Sequence, residues 1–218
     1  AFAVPRRSIP LNAPVVLSNG ALVYDYDAGR TLCVTPLSEG YLPLCRAARK
    51  AFPQVAAEAH LRAGVWVAGN NPSSEAHLKN VHVKGTVVDS PDDIPPDWLK
   101  IVFTAAHRDL EALRDWLQPR LGGVFELMFS HPNLLELQDA RAGKGEGAAQ
   151  LADLLGIASR DIYCAGDQQN DLSMLRRFYA FAPQNAEAEV KAVSQEIGPD
   201  CDEHFIAWVV RRLEERYR

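Results

Sequence analysis

The residues with the clearest chemical potential lie in one segment, Ala165-Gly166-Asp167-Gln168-Gln169-Asn170-Asp171. Asp161-Ile162-Tyr163-Cys164-Ala165 leads into it and reads as a buried strand. Gly166 permits a sharp turn, so Asp167 stands at the carboxyl end of that strand, where open parallel sheets bind ligands. Asn170 and Asp171 follow within a turn, just ahead of a helical pattern. Two carboxylates and an amide at a strand tip offer the hard oxygen donors that Mg²⁺ takes, with water and phosphate oxygens filling the remaining positions. The plain alternative is a capped turn, because Asp and Asn ahead of a helix commonly accept its free amides.

A second charged residue changes that balance. Lys144 lies 23 residues earlier, in Gly143-Lys144-Gly145, before the helix that feeds the Asp167 strand. A lysine between glycines at a loop-to-helix junction can reach a phosphate as a point charge beside an anion-binding helix start. Alone it would be a solvated surface lysine. The spacing of a Walker A loop is absent. A decoy sits near the start: Tyr24-Asp25-Tyr26-Asp27 has an apolar lead and two alternating acids. It lies in a hairpin pattern, and a turn beside Asp27 explains it.

The elements that must position these residues are legible as patterns. Pro14 to Ser18 reads as a short buried strand, and Asn19-Gly20 as a turn. Ala21 to Asp27 and Thr31 to Thr35 make a hairpin around Ala28-Gly29-Arg30. A helix is predicted from Leu37 to about Phe52, with Tyr41, Leu44, Cys45 and Ala48 on one face. Val65-Trp66-Val67 and Val81-His82-Val83 read as strand pieces, Ser90 to Pro96 as a loop and Leu99 to Thr104 as a strand. His107 to Leu117 reads as a helix with Leu110, Leu113 and Leu117 inward. Phe125 to Phe129 and Leu134 to Leu137 read as strands. Beyond Lys144, Ala148, Leu151, Ala152 and Leu155 mark a helix stopped by Gly156. Leu172 to Phe178 is a short helix and Tyr179 to Ala182 a strand. Ala186, Val190, Val193 and Ile197 mark one more helix, and Phe205, Trp208, Val209 and Leu213 the last. Alternating strand and helix calls for a parallel sheet flanked by helices. The middle reads as a separate α+β unit.

The bulk numbers narrow the partners. The chain has 218 residues, 47% of them hydrophobic, and a net charge of −5. Nucleic-acid and anionic-membrane partners usually bring a basic excess, and none is present. No apolar run approaches the roughly 18 residues of a membrane span. Pro5, Pro10 and Pro14 interrupt the opening residues, which do not read as a signal peptide. The four cysteines are widely spaced, so reduced thiols and a cytoplasmic location are expected.

Lys144-Gly145, the leucine-rich helix after it, and Ala165-Gly166-Asp167-Gln168-Gln169-Asn170-Asp171-Leu172-Ser173-Met174-Leu175 resemble the third and fourth motifs of Cof-type haloacid dehalogenase-like hydrolases. Gln184-Asn185-Ala186 with Val190-Lys191 resembles the Asn-Ala-x-x-x-Val-Lys stretch that follows in that family. Ser18-Asn19-Gly20-Ala21 resembles its Asn-Gly-Ala motif. Pro96 to Glu136 matches the end of its cap more loosely.

The resemblance implies an α/β fold: a Rossmann-like parallel-sheet core with an inserted type IIB α+β cap. The core would take residues 1–35 and 138–218, and the cap residues 36–137. It implies Mg²⁺, with Asp167 and Asp171 as metal ligands. Lys144 and Asp171 would be catalytic. Asn19, Gly20, Lys144, Asn170 and Asn185 would line the substrate site or hold its loops, although Asn185 is also an ordinary turn residue. Trp66, Asn70, Asn71 and His82 are cap positions that could face substrate, or serve only packing and loops. The implied activity is hydrolysis of a small phosphomonoester through an aspartyl-phosphate, by a monomer or weak homodimer. A phosphomutase and a catalytically inactive phosphate-ligand binder are the alternatives. The family's Asp-x-Asp-Gly-Thr nucleophile motif is not found before Asn19. About 50–60 preceding residues would hold it, judged from two strand–helix units. Ala1 to Val4 would be a remnant of the second core strand, followed by Pro5-Arg6-Arg7-Ser8.

Overall fold

The computed structural model describes residues 11–218. The expected remnant strand at Ala1 to Val4 lies outside them. Two compact units divide the chain, one ending at Ala142 and the other Gly143–Arg218.

The first unit holds two sheets. The smaller is an antiparallel meander of β1 (Val15–Leu17), β2 (Leu22–Asp25) and β3 (Arg30–Val34). β1 is half-buried, not fully buried as its apolar run predicts. The Asp25 carboxylate accepts the Asp27 and Ala28 amides at 3.0 and 2.9 Å, so it closes the hairpin turn as expected.

The larger sheet has six strands in the order β6-β5-β4-β7-β9-β8. These are β4 (Ala56–Leu61), β5 (Gly64–Ala68), β6 (Gly85–Val88), β7 (Lys100–Thr104), β8 (Phe125–His131) and β9 (Leu134–Asp139). Three helices join them: α1 (Tyr41–Ala51), α2 (Pro72–Asn80) and α3 (His107–Leu117). Alternate residues give this sheet two unlike faces. Ala57, Ala59, Ile101, Phe103, Leu135 and Leu137 pack with Cys45 and Ala48 of α1 and with Leu110, Leu113 and Leu117 of α3. The opposite face carries Glu58, His60, Lys100, Glu136 and Gln138. Register sets His60 opposite Lys100, and Lys100 opposite Gln138.

Several expectations change here. Val81 to Val83 is not a strand: Val81 caps α2, and His82 has φ 53°, which breaks extension. The strand comes later, as β6. Both α2 and β4 escaped the sequence reading. Pro72-Ser73-Ser74 looks like a loop, yet Asn71 accepts the Ser74 amide at 2.9 Å and Pro72 fits the first turn. The β4 sequence, Ala-Ala-Glu-Ala-His-Leu, has helix-forming residues that its position between two paired strands overrides.

The second unit is a three-layer piece of α/β fold. Its strands β10 (Tyr163–Ala165), β11 (Tyr179–Pro183) and β12 (Glu196–Gly198) are parallel, in the order β10-β11-β12. Its helices are α4 (Lys144–Leu155), α5 (Leu172–Leu175), α6 (Ala188–Val193) and α7 (Phe205–Arg216). Ala180 and Ala182 pack with Leu175, Ala186 and Val190 on one face, while Phe181 meets Phe205 and Val209 of α7 on the other. β10 is half-buried and shorter than its apolar run. Ile197 belongs to β12, not to the helix with Val190, because that helix ends at Val193 and Ser194 turns to extended backbone. Gly156 ends α4 in the left-handed conformation at φ 67°, as its position predicts.

The six-stranded sheet depends on the α3 contact. Leu110 is fully buried. Leu110→Ala is expected to lower unfolding free energy by about 2–5 kcal/mol, read by denaturant titration.

Candidate active site

The Asp167–Asp171 segment forms a tight turn between β10 and α5. Asp171 is 5% exposed, and its carboxylate is fully engaged. Oδ2 accepts the Asp167 and Gln168 amides at 3.0 and 3.3 Å. Oδ1 takes the Lys144 ammonium at 2.5 Å. So Asp171 both caps the turn and pairs with the lysine; the two readings of the sequence are compatible.

Close approach makes this possible, and two glycines allow it. A Cβ on Gly166 would lie 2.5 Å from the Asp171 Cβ. A Cβ on Gly145 would lie 2.5 Å from the Ser173 carbonyl oxygen. With hydrogen there, the start of α4 seats on the turn, and Ser173 Oγ accepts the Gly145 amide at 3.0 Å. That bond meets one of the free amides at the helix start.

Asp167 stands apart from these contacts. Its main chain is held, because the carbonyl accepts the Glu187 amide at 3.0 Å. That bond ties the Asn185 loop to the Asp167 turn. The half-buried Asp167 carboxylate has no hydrogen-bond or ion-pair partner among the described residues. It lines a surface pocket of about 210 Å³ with Ala165, Gly166, Pro183, Cys201, Phe205 and Ile206. Burial, and then the Asp167 charge, push the Cys201 thiol pKa up. Among the described residues no group of three or more His, Cys, Asp or Glu is arranged to hold a metal ion. The donors that are present suit Mg²⁺ in type: an unpartnered carboxylate oxygen at a strand tip, with Asn170 and Asp171 in the same turn.

The other expected site residues divide between the units. Asn185 is exposed, and its Oδ1 accepts the Cys201 amide at 3.2 Å, which is the work of a turn residue. Asn19 and Gly20 lie in the first unit, both at positive φ, 54° and 101°. The Asn19 amide donates to Glu136 Oε2 at 2.8 Å. Asn70 and Asn71 serve the α2 start: Asn70 Oδ1 accepts the Ser74 hydroxyl, and Asn71 Nδ2 donates to the Gln54 and Thr104 carbonyls. Trp66 packs against the main core, and His82 is exposed.

Sequence reasoning missed the polar face of the large sheet. Lys100 Nζ reaches Glu136 Oε2 at 2.5 Å, and His77 Nδ1 lies 2.7 Å from Glu58 Oε2. Burial pushes Glu136 upward, but Lys100 beside it holds the pKa down at about 2. The signal was available in the alternation of Leu135 and Leu137 with Glu136 and Gln138, since a half-polar strand in a protein interior needs partners.

The haloacid dehalogenase-like hydrolase family model matches residues 5–210. The chain belongs to that family, in its Cof-type branch. Among curated relatives, the 5-amino-6-(5-phospho-D-ribitylamino)uracil phosphatase of Bacillus subtilis is 36% identical over 85 residues, 38% of this chain and 30% of the relative. The HMP-PP phosphatase of Enterobacter sp. is 40% identical over 76 residues, 35% of this chain and 28% of the relative. The aligned regions span about a third of those relatives' length. A solved sugar phosphatase of HAD subclass IIB superposes with a TM-score of 0.82 at 15% identity, over 97% of this chain and 79% of that one. A haloacid dehalogenase-like hydrolase from B. subtilis gives 0.80 at 20%, over 95% and 82%. These likenesses establish the α/β fold of the family.

Two tests follow from the contacts. Gly166→Ala is expected to cost about 1–3 kcal/mol of stability by overpacking against Asp171, measured by denaturant unfolding. Glu136 has its folded pKa below its ordinary 4.5, so its ion pair stabilises fully above about 4.5 and loses that contribution as pH falls through about 2. Glu136→Gln should flatten the corresponding acid limb of the thermal midpoint between pH 5 and 2. An unchanged limb would remove Glu136 from the account.

Proposed function

We propose that this chain is the cap and the metal-side half of a Mg²⁺-dependent phosphatase acting on a small phosphorylated metabolite. The observation that carries the reading is the half-buried Lys144–Asp171 contact beside the Asp167 carboxylate, which has no partner among the described residues. Lys144 and Asp171 offset each other, whereas the Asp167 carboxylate beside them is left for a cation to meet. Residues 36–137 would be the cap that closes over substrate and excludes water.

In this reading Asp167 would hold Mg²⁺, which when bound supplies charge against the phosphoryl oxygens; Asp171, expected from the sequence as a second ligand, already has its oxygens on Lys144 and two turn amides and would instead fix the turn around the metal. Lys144 neutralises the phosphoryl group as charge develops on it. Asn170 would line the site beside Asp167, and Asn185 holds the Cys201 turn at the edge of the Asp167 pocket. Asn19 and Gly20 contribute a substrate-facing turn. The reaction requires an aspartate nucleophile, a role that none of the residues assigned here fills. That aspartate attacks phosphorus in line, the leaving-group oxygen departs with a proton from a second acid, and water then releases phosphate from the aspartyl-phosphate.

The named relatives support a phosphorylated metabolite as substrate, one acting on a ribitylamino-uracil phosphate and others on HMP-PP. No helix among the described residues is long and apolar enough to cross a membrane. A cytoplasmic monomer or weak homodimer is part of the same proposal.

Calorimetry tests it. Asp167→Ala should abolish the heat of Mg²⁺ binding, and Lys144→Ala should weaken inorganic phosphate binding in the presence of Mg²⁺ by about tenfold or more. Unchanged Mg²⁺ affinity in Asp167→Ala sinks the metal assignment. Assayed alone with Mg²⁺ and a panel of phosphomonoesters, the chain should show negligible turnover. Robust turnover lost in Asp25→Asn would make Asp25 the nucleophile instead.

A further inference from the structure

Helix α4 begins without a cap of its own. Gly143 holds the capping position in extended backbone, and no side chain there accepts a helix-start amide. Helices usually meet those free amides with a Ser, Thr, Asp or Asn at that position. Lys144 comes next, with Gly145 after it. Glycine on both sides leaves the Lys144 main chain free of local steric restraint. Its ammonium also rides on a flexible four-carbon stem. The residues around Lys144 in sequence therefore do little to fix where it stands.

Ser173 supplies what the helix start lacks. It lies in α5, 28 residues beyond Gly145, and its Oγ accepts the Gly145 amide at 3.0 Å. A helical serine ordinarily turns its hydroxyl to a carbonyl of the preceding turn or leaves it to solvent. Ser173 is exposed, so solvent was open to it. The residue also lies close against the glycines that flank Lys144. A Cβ on Gly145 would be 2.5 Å from the Ser173 carbonyl oxygen, and one on Gly143 would be 3.2 Å from Ser173 Oγ. Arg177 and Glu146 form another tie to the α4 start, at 3.7 Å, but both side chains are largely in solvent and such a pair contributes little.

We propose that Ser173 is a positioning residue for Lys144: it caps α4 from α5 and so holds the lysine main chain where the ammonium meets Asp171 and can meet a phosphoryl group. This deepens the phosphatase reading above and rests on it. The same bond decides which helix-start amides are left for an anion. Ser173 takes the Gly145 amide, and the Gly143 carbonyl takes the Gly147 amide at 2.9 Å.

The test compares the full chain with Ser173→Ala, which removes the acceptor, and Ser173→Thr, which keeps it. The Lys144 ε-methylene is followed by ¹H–¹³C correlation, its signal assigned by its loss in Lys144→Arg. In Ser173→Ala that signal should move toward the position of solvent-exposed lysines, and Ser173→Thr should bring it back. Inorganic phosphate, titrated calorimetrically with Mg²⁺ present, should bind Ser173→Ala about three- to tenfold more weakly and Ser173→Thr as the parent does. The Phe181 and Ala182 amides of β11 should keep their protection from hydrogen exchange in both variants. An unmoved Lys144 signal in Ser173→Ala overturns the proposal, as does failure of threonine to restore it. Tighter phosphate binding by Ser173→Ala also overturns it, because Ser173 would then only be occupying an amide that the anion could use. Loss of β11 protection in step with the Lys144 change would make Ser173 part of the unit's fold and overturn it as well. The Lys144 spectrum needs neither Mg²⁺ nor phosphate, so a parent chain that binds no phosphate sinks the phosphatase reading separately.

Discussion

The contact between Lys144 and Asp171 is the constraint around which the second unit is arranged. The start of α4 must lie directly on the Asp167–Asp171 turn for a lysine to reach a carboxylate that also caps that turn. Gly145 and Gly166 are there because any side chain would collide with Ser173 or Asp171. Ser173 then closes the approach by accepting the Gly145 amide. The sheet supplies the rest: β10 is parallel to β11, so the turn stands at the carboxyl end of both strands. Asp171 is held from three directions and Asp167 by its main chain alone. One carboxylate is therefore fixed and the other left available.

The first unit solves a different problem. Its large sheet is apolar on one face and mixed on the other, where Ala56, Val65 and Val67 form a small cluster beside a largely buried charged patch. The register brings Lys100 beside His60 and Gln138, within reach of Glu136, and it leaves Glu58 to meet His77 across from α2. Pairing of this kind offsets desolvation and does not add much net stability. What it fixes is geometry: Glu136 bridges the ammonium of Lys100 and the amide of Asn19, and so holds the left-handed turn at Ser18–Gly20. At the end of β9 the buried Asp139 carboxylate repeats this chemistry, accepting the Ser38 amide and the Arg141 guanidinium.

Much of this was legible from residue order. Helix α3, the stop at Gly156 and the β10–turn–α5 sequence follow from apolar spacing, and Cof-type membership follows from the motifs around Lys144 and Asp167. Elements were missed where local preference and tertiary pairing disagree. β4 is written in helix-forming residues and becomes a strand because β5 and β7 flank it. α2 starts on a Pro-Ser-Ser run that only its Asn71 cap makes helical. Ile197 matches a helical period with Val190 and Val193, but a parallel strand needed that position. At the site, residue types pointed to Asp167, Asp171 and Lys144, whereas Glu136 and Asp139 depend on partners 117 and 101 residues away, which no local spacing encodes.

On the function proposed above, the Asp167 turn would be a cation site with Lys144 already seated beside it. The direct measurement is a Mg²⁺ titration followed through backbone amide chemical shifts of the ¹⁵N-labelled chain. The account predicts saturable shifts concentrated at Gly166 to Asp171 and at Gly145, with the sheet of the first unit unaffected. Shifts centred on the Glu58–His60–Glu136 face instead, or none at the Asp167 turn at saturating Mg²⁺, would contradict it.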